Sequence, residues 1–151
     1  MPPKYLSADE FVMRLGNREA DGLLGTGPHN ERVLDLNRAT TELLAADDMI
    51  DGYVRARYPR PFVKIPNLLK NVAHDLARYS LRSTGDQSSS MSDLVKDRYD
   101  KAVGVLKDIA LGRITLDGDG DGNQPENGTY AETVNSYMPE SRMKKALEGY
   151  H

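Results

Sequence analysis

Three aspartates alternate with glycines in Leu116-Asp-Gly-Asp-Gly-Asp-Gly-Asn-Gln-Pro125. That is how a calcium loop of the EF-hand type begins. Such a loop needs oxygen ligands at positions 1, 3 and 5, glycine at 6 and a bidentate glutamate at 12. Asp117, Asp119, Asp121 and Gly122 meet the first four needs, but position 12 falls on Gly128 and Glu126 stands at position 10. Pro125 and Gly128 also spoil the helix that should leave the loop. The stretch reads as a flexible acidic linker, not a metal site.

The other chemistry-bearing residues are scattered. His74 has Asp75 beside it, but adjacent helical residues point in different directions, so the pair is not expected to form a dyad. His29 and His151 lie far away in sequence, and no second histidine three or four positions from His74 completes a zinc pair. Ser88-Ser-Ser90 has no glycine elbow, and Gly25-Thr-Gly27 lacks the downstream lysine of a P-loop. The residues point to no enzyme, no cofactor and no metal.

Positive charge does cluster. Arg55, Arg57, Arg60 and Lys64 gather at the end of a long helical pattern, with Arg78 and Arg82 on the next and Tyr53, Tyr58 and Phe62 between them. Such a surface could meet phosphates. Equally, Arg55 and Arg57 can complement the negative end of a helix dipole while the other arginines contact a protein partner. The net charge of −3 lacks the basic excess of a dedicated nucleic-acid binder, which favours protein contact. A helical nucleic-acid-binding regulatory module using the Arg55–Arg82 surface stands as the alternative.

Helices must position these residues. Ser7-Ala-Asp-Glu10 is a capping box opening a helix that Gly16 ends, and the glycine-rich 21–28 stretch reads as a loop. Asn30 is the expected N-cap of the longest helix, whose apolar stripe runs Val33, Leu36, Leu43, Ile50 and Val54. That run covers about 28 residues, roughly 42 Å, before Tyr58-Pro59-Arg60-Pro61 stops it. Pro66 suits the first turn of a third helix carrying Leu69, Val72, Ala73, Leu76 and Ala77. After a polar loop at 83–90, Ser92 caps a fourth with Val95, Tyr99, Ala102, Leu106 and Ile109, closed by Gly112. Arg113-Ile-Thr-Leu116 could pair as a short strand in an assembly. The expected fold is all-α, a small antiparallel bundle of about four helices with a flexible C-terminal extension. It divides into a helical domain at 1–116, the acidic Gly/Asp linker at 117–129 and a docking tail at 130–151.

A chain of 151 residues with 38% apolar and 28% charged residues fits one globular domain with a tail. It has no cysteine, hence no disulfide frame and no thiolate metal site. The start, Met1-Pro-Pro-Lys-Tyr-Leu, has no apolar core of a signal peptide, and no run approaches the length of a membrane helix. The chain reads as soluble.

The block Ile50-Asp-Gly-Tyr-Val-Arg-Ala-Arg-Tyr-Pro-Arg-Pro-Phe62 resembles the head–tail connector family of phage Mu-like tailed bacteriophages. The likeness continues through Ile65-Pro-Asn-Leu-Leu69, Val72-Ala-His-Asp-Leu-Ala-Arg-Tyr79, and Asp97-Arg-Tyr-Asp-Lys-Ala102 to Leu106-Lys-Asp-Ile-Ala-Leu-Gly112. Tyr5-Leu-Ser-Ala-Asp-Glu-Phe11 and the closing Arg142-Met-Lys-Lys-Ala-Leu-Glu-Gly-Tyr150 are similar in style, whereas the Asp-Gly linker and the early Gly-Leu-Leu-Gly-Thr-Gly loop depart from it. The resemblance implies a structural virion protein of the neck, assembled in the host cytoplasm. It would dock under the portal protein as a homo-oligomeric ring, commonly of twelve subunits, and receive a tail-side neck or tail terminator protein. DNA would pass through the channel without sequence-specific binding, and no membrane is involved. The expected docking residues are Arg55, Arg57, Tyr58 and Arg60 on the body. On the tail they are Tyr137, Met138, Arg142, Lys144, Lys145, Leu147 and Tyr150.

Overall fold

Ser7 starts the first helix as its sequence suggests: its hydroxyl accepts from the Glu10 amide at 3.2 Å, and α1 runs Ala8–Leu15 with Phe11 and Leu15 buried. In this computed structural model, residues 1–84 and 91–116 are described. The linker, the tail, their seven docking residues and the Asp117–Gly128 loop all lie outside the described residues.

Gly16 is a corner. With φ at +82° it occupies a region that glycine enters without steric cost, and it is both the last residue past α1 and the first before α2, Asn17–Leu24. The expected loop over 21–28 is thus helix as far as Leu24. Ala20, Leu23 and Leu24 face the core, and two arginines from outside the helix hold its C-terminal carbonyls. Arg32 donates to the Asp21 carbonyl at 3.1 Å and Arg38 to the Leu23 carbonyl at 3.3 Å.

A minimal antiparallel ribbon follows. β1, Gly25–Thr26, pairs with β2, Val33–Leu34, in the register Gly25↔Leu34 and Thr26↔Val33. This shortens the long helix. Its N-cap is Asp35, not Asn30, because the Asp35 carboxylate accepts from the Arg38 amide at 3.1 Å. Val33 fell on the helical spacing but lies in the ribbon, 68% exposed.

α3 spans Leu36–Val54, α4 Asn67–Thr84 and α5 Asp93–Ala110. These three pack on one another, while α1 and α2 lean on α3. Ser80, late in α4, hydrogen-bonds Glu42, early in α3, so the two helices run antiparallel. α4 carries the widest buried face: Leu69, Val72, Ala73, His74, Leu76, Ala77 and Leu81. That breadth is what a helix packed by neighbours on two sides requires. α5 is capped by Ser92, whose hydroxyl accepts from the Val95 amide, and it buries Val95, Ala102, Leu106 and Ile109.

α5 ends in a Schellman turn. Gly112, φ +79°, donates to the Ile109 carbonyl and Arg113 to that of Asp108. Residues 113–116 form no strand among the described residues. Leu116 is instead buried at 3% exposure. The mostly helical class holds, with five helices rather than four among the described residues.

Candidate functional site

The connection between α3 and α4, residues 55–66, gathers most of the body's predicted contact residues. α3 ends because Arg57 and Tyr58 both donate to the Val54 carbonyl, tightening the last turn, and Pro59 cannot prolong it. Tyr58 then turns inward, its ring 5.6 Å from Phe62, which in turn meets Tyr5 edge-on at 6.5 Å. The Tyr58 hydroxyl accepts from the Leu116 amide at 2.8 Å. Tyr58, expected at a partner surface, is therefore an internal strut, 8% exposed, joining the loop to the end of the body.

The N-terminal segment closes the other side. Buried Asp47 on α3 accepts from the backbone amides of Lys4 and Tyr5, and Asp51, one turn on, accepts from the Lys4 ammonium at 2.6 Å and the Tyr5 hydroxyl. Burial pushes the Asp47 carboxyl up, against the pull of those two amides. Asp51 also feels burial, but hydrogen bonds from Lys4 and Tyr5 together overcome it and hold its carboxyl below the usual range. The Tyr5 hydroxyl is driven upward, first by burial and then by its bond to Asp51. Lys4, Tyr5, Asp51, Arg55, Phe62 and Ile65 wall a small cleft of about 120 Å³.

The arginines divide. Arg55 pairs with Asp51 at 3.4 Å, and Arg60 and Lys64 are exposed. Arg57 serves a helix other than its own: its guanidinium lies against Gly112, at the C-terminal end of α5 where the dipole is negative. Arg78 and Arg82 sit 11 and 15 residues into α4, about 17 and 23 Å along its axis from Asn67. Both grip Glu19 of α2: Arg78 at 2.7 and 2.9 Å, Arg82 at 2.9 Å. Burial opposes ionisation of Glu19, but the two arginines outweigh it and hold its carboxyl below the usual range. The Arg55–Arg82 residues thus do not make one patch. Four are at the 55–66 end, and two, Arg78 and Arg82, clamp α2 to α4 beside a cleft of about 470 Å³ lined by Leu15, Arg18, Glu19, Leu23 and Arg82.

His74 and Asp75 correct the expectation that helical neighbours stay apart. His74 Nδ1 lies 3.3 Å from Asp75 Oδ1. The ring packs 5.4 Å from Phe11, and its buried Nε2 has no partner among the described residues. With Arg98 4.0 Å from Asp75, this is a charged seam between α4 and α5 beside the core. Among the described residues no group of three His, Asp or Glu side chains is placed to hold a metal, and no helix is long and apolar enough to cross a membrane.

The geometry has one functional emphasis: the loop, the N-terminal segment and the exit of the chain at Leu116 meet at one end of the bundle. The family model described as bacteriophage Mu, Gp36 matches residues 5–134. The chain belongs to the Gp36 family of bacteriophage Mu. None of the curated proteins matches it. The Gp36 match takes in the helical body from Tyr5 to Leu116 and runs on through the Asp-Gly stretch. It stops short of the Arg142–Tyr150 segment.

Sequence reasoning missed Tyr5, Asp47, Asp51 and Glu19 as organisers of the Gp36 body. Asp47 and Asp51, acids one turn apart on an otherwise apolar stripe, were the available signal for the first cluster. Glu19 gave none, because its partners lie 59 and 63 residues away.

Proposed function

We propose that the protein is a head–tail connector, a neck adaptor of a tailed bacteriophage. It docks beneath the portal as a homo-oligomeric ring of twelve subunits and joins the DNA-filled head to the tail. Its exposed Arg55, Arg60 and Lys64 end faces a protein neighbour, and its C-terminal residues clasp an adjacent subunit or ring.

The observation that carries this reading is the meeting of the 55–66 loop and Leu116 at one end of a Gp36-family helical body. A single end then presents both a basic, proline-bearing contact surface and the root of the C-terminal residues. A subunit packed side by side in a closed ring uses two complementary faces, and a segment rooted at its end can cross to a neighbour. The internal commitment of Arg78 and Arg82 to Glu19 weighs against a continuous phosphate-binding face.

The test is a phage in which the gene is interrupted and supplied in trans. Filled heads and complete tails should accumulate unjoined, and joining should return with the supplied protein. Normal tailed particles without the protein would sink the proposal.

A further inference from the structure

Residues 55–66, Arg-Ala-Arg-Tyr-Pro-Arg-Pro-Phe-Val-Lys-Ile-Pro, hold four cations and no carboxylate. Arg55 pairs with Asp51, but among the described residues Arg60 and Lys64 have no ion-pair partner. Both are exposed, and Val63 between them is 83% exposed, an apolar tip with a cation on either side. Pro59, Pro61 and Pro66 stiffen the backbone that presents it.

α5 carries the complementary surface. Its buried residues are Val95, Ala102, Leu106 and Ile109. Asp93, Asp97, Asp100 and Gly104 recur at intervals of four, three and four residues, so they share the opposite, outward face. All three aspartates are exposed, and only Asp97 has an ion-pair partner among the described residues, Lys101 at 2.8 Å. Lys96 and Lys101 stand to either side of the row rather than on it. Gly104 continues the row, and a Cβ there would meet nothing within 4 Å. Glycine weakens a helix interior relative to alanine, and among the described residues no neighbour requires the missing side chain. Its use at such a place is the close approach of something outside the chain. Gly22 and Gly52 are equally open, but no row of free carboxylates adjoins them. Asp21 holds Arg32 beside the first, and Asp51 holds Lys4 beside the second, where only Asp48 is left without an ion-pair partner among the described residues.

The two surfaces of one chain stand apart. Arg57 of the loop lies against Gly112, past the C-terminal end of α5. Asp100, Asp97 and Asp93 come 12, 15 and 19 residues before that glycine, about 18, 23 and 29 Å back along the axis. A second copy supplies what the first does not reach.

We propose that the 55–66 loop of one copy docks on the outer face of α5 of the next, with Val63 over Gly104 and Arg60 and Lys64 reaching Asp97 and Asp100. The contact joins unlike patches, so each copy that offers its loop still presents a free α5 face. Repetition of such a heterologous contact closes a ring when its rotation allows. The inference rests on the ring-forming reading above and names the two faces that meet.

The chain has no cysteine, so single thiols report the contact. Full-length V63C is mixed at low salt with isotope-labelled G104C and mildly oxidised, and the disulfides are sorted by mass. The mixed disulfide should exceed random pairing about fivefold, and the excess should vanish in about 0.5 M salt. R60E/K64E in the V63C chain should abolish the excess, and D97K/D100K in the G104C chain should then restore it. A second pair, V63C with K107C, leaves the glycine one turn away free to vary. In the K107C chain, G104L should raise the thermal midpoint and yet remove the excess, which a merely structural role for the glycine would not do. Random pairing in the starting mixture overturns the proposal. So does an excess that survives R60E/K64E, that charge exchange fails to restore, or that G104L leaves intact. These disulfides read contact between copies in solution, whereas the interrupted gene reads the joining of head to tail, so the two readings fail separately.

Discussion

Tyr58→Phe removes one oxygen and leaves the ring in place against Phe62, 5.6 Å away. The loss is the 2.8 Å bond that accepts the Leu116 amide, a link between residues 58 positions apart. Leu116 is buried at 3% exposure, so its amide has no ready water to replace the hydroxyl. An ordinary hydrogen bond contributes about 1 kcal/mol net, and a buried donor left without a partner costs about 1–3 kcal/mol. At about 1.4 kcal/mol per factor of ten, the Leu116 amide should exchange with solvent about 5- to 150-fold faster in the variant. The amides of α4 should change little beyond a uniform effect of global stability. Each kcal/mol lost lowers Tm by about 4–8 °C for an ordered body of this size. The assay is native-state hydrogen exchange read residue by residue, with thermal unfolding alongside. Leu116 exchange within a factor of about two of wild type, at unchanged Tm, would show that the strut does not hold the end of the body.

Glu19→Gln keeps the shape but removes the charge that Arg78 and Arg82 share, and all three side chains are less than a fifth exposed. Urea unfolding should show a loss of about 2–3 kcal/mol at neutral pH. Because the folded protein holds the Glu19 carboxyl below its ordinary value of 4.5, this contribution is fully present above about pH 4.5. It is lost as pH falls through the lower folded value, so the variant's stability should fall less steeply in acid, and parallel curves would contradict the assignment. Gly112→Ala places a side chain at φ +79° and a Cβ directly against the Arg57 guanidinium. It should cost about 1–2 kcal/mol, and adding Arg57→Ala should not restore it, because the backbone strain remains; full restoration would mean the clash alone mattered. Gly52, inside α3, has nothing within 4 Å of a would-be Cβ. Gly52→Ala should stabilise the isolated chain by about 0.5–1 kcal/mol in denaturant unfolding, and destabilisation would reveal a contact that the fold does not show.

The legible parts of this fold were those written locally. Ser7 and Ser92 mark helix starts through hydroxyls that accept amides three residues on, and Gly16 and Gly112 mark ends through their positive φ. α4 was legible because its apolar spacing is dense. α2 was not, since Asn17–Leu24 contains Gly22 and only two turns, and arginines 11 and 15 residues away close its carbonyls. The start of α3 was placed too early because Val33 fits a helical stripe by chance, while the Asp35 cap stood five positions beyond Asn30. At the candidate surface the cations at 55–64 were visible as composition. Which of them were already engaged was not, because Glu19–Arg78, Tyr58–Leu116 and Tyr5–Asp51 are all long-range pairings.

Three prolines, Pro59, Pro61 and Pro66, lie within the 55–66 connection, all on trans peptide bonds. Each fixes its own φ and narrows the residue before it, so the unfolded chain has fewer shapes to lose here than elsewhere. Tyr58, Phe62 and the Arg57 packing then fasten what freedom is left. A molecule that meets this end of the bundle finds a relief map already drawn, and little of the contact energy is spent on arranging backbone. Recognition at such a place should depend on matching contour and charge, and should tolerate few changes in loop length.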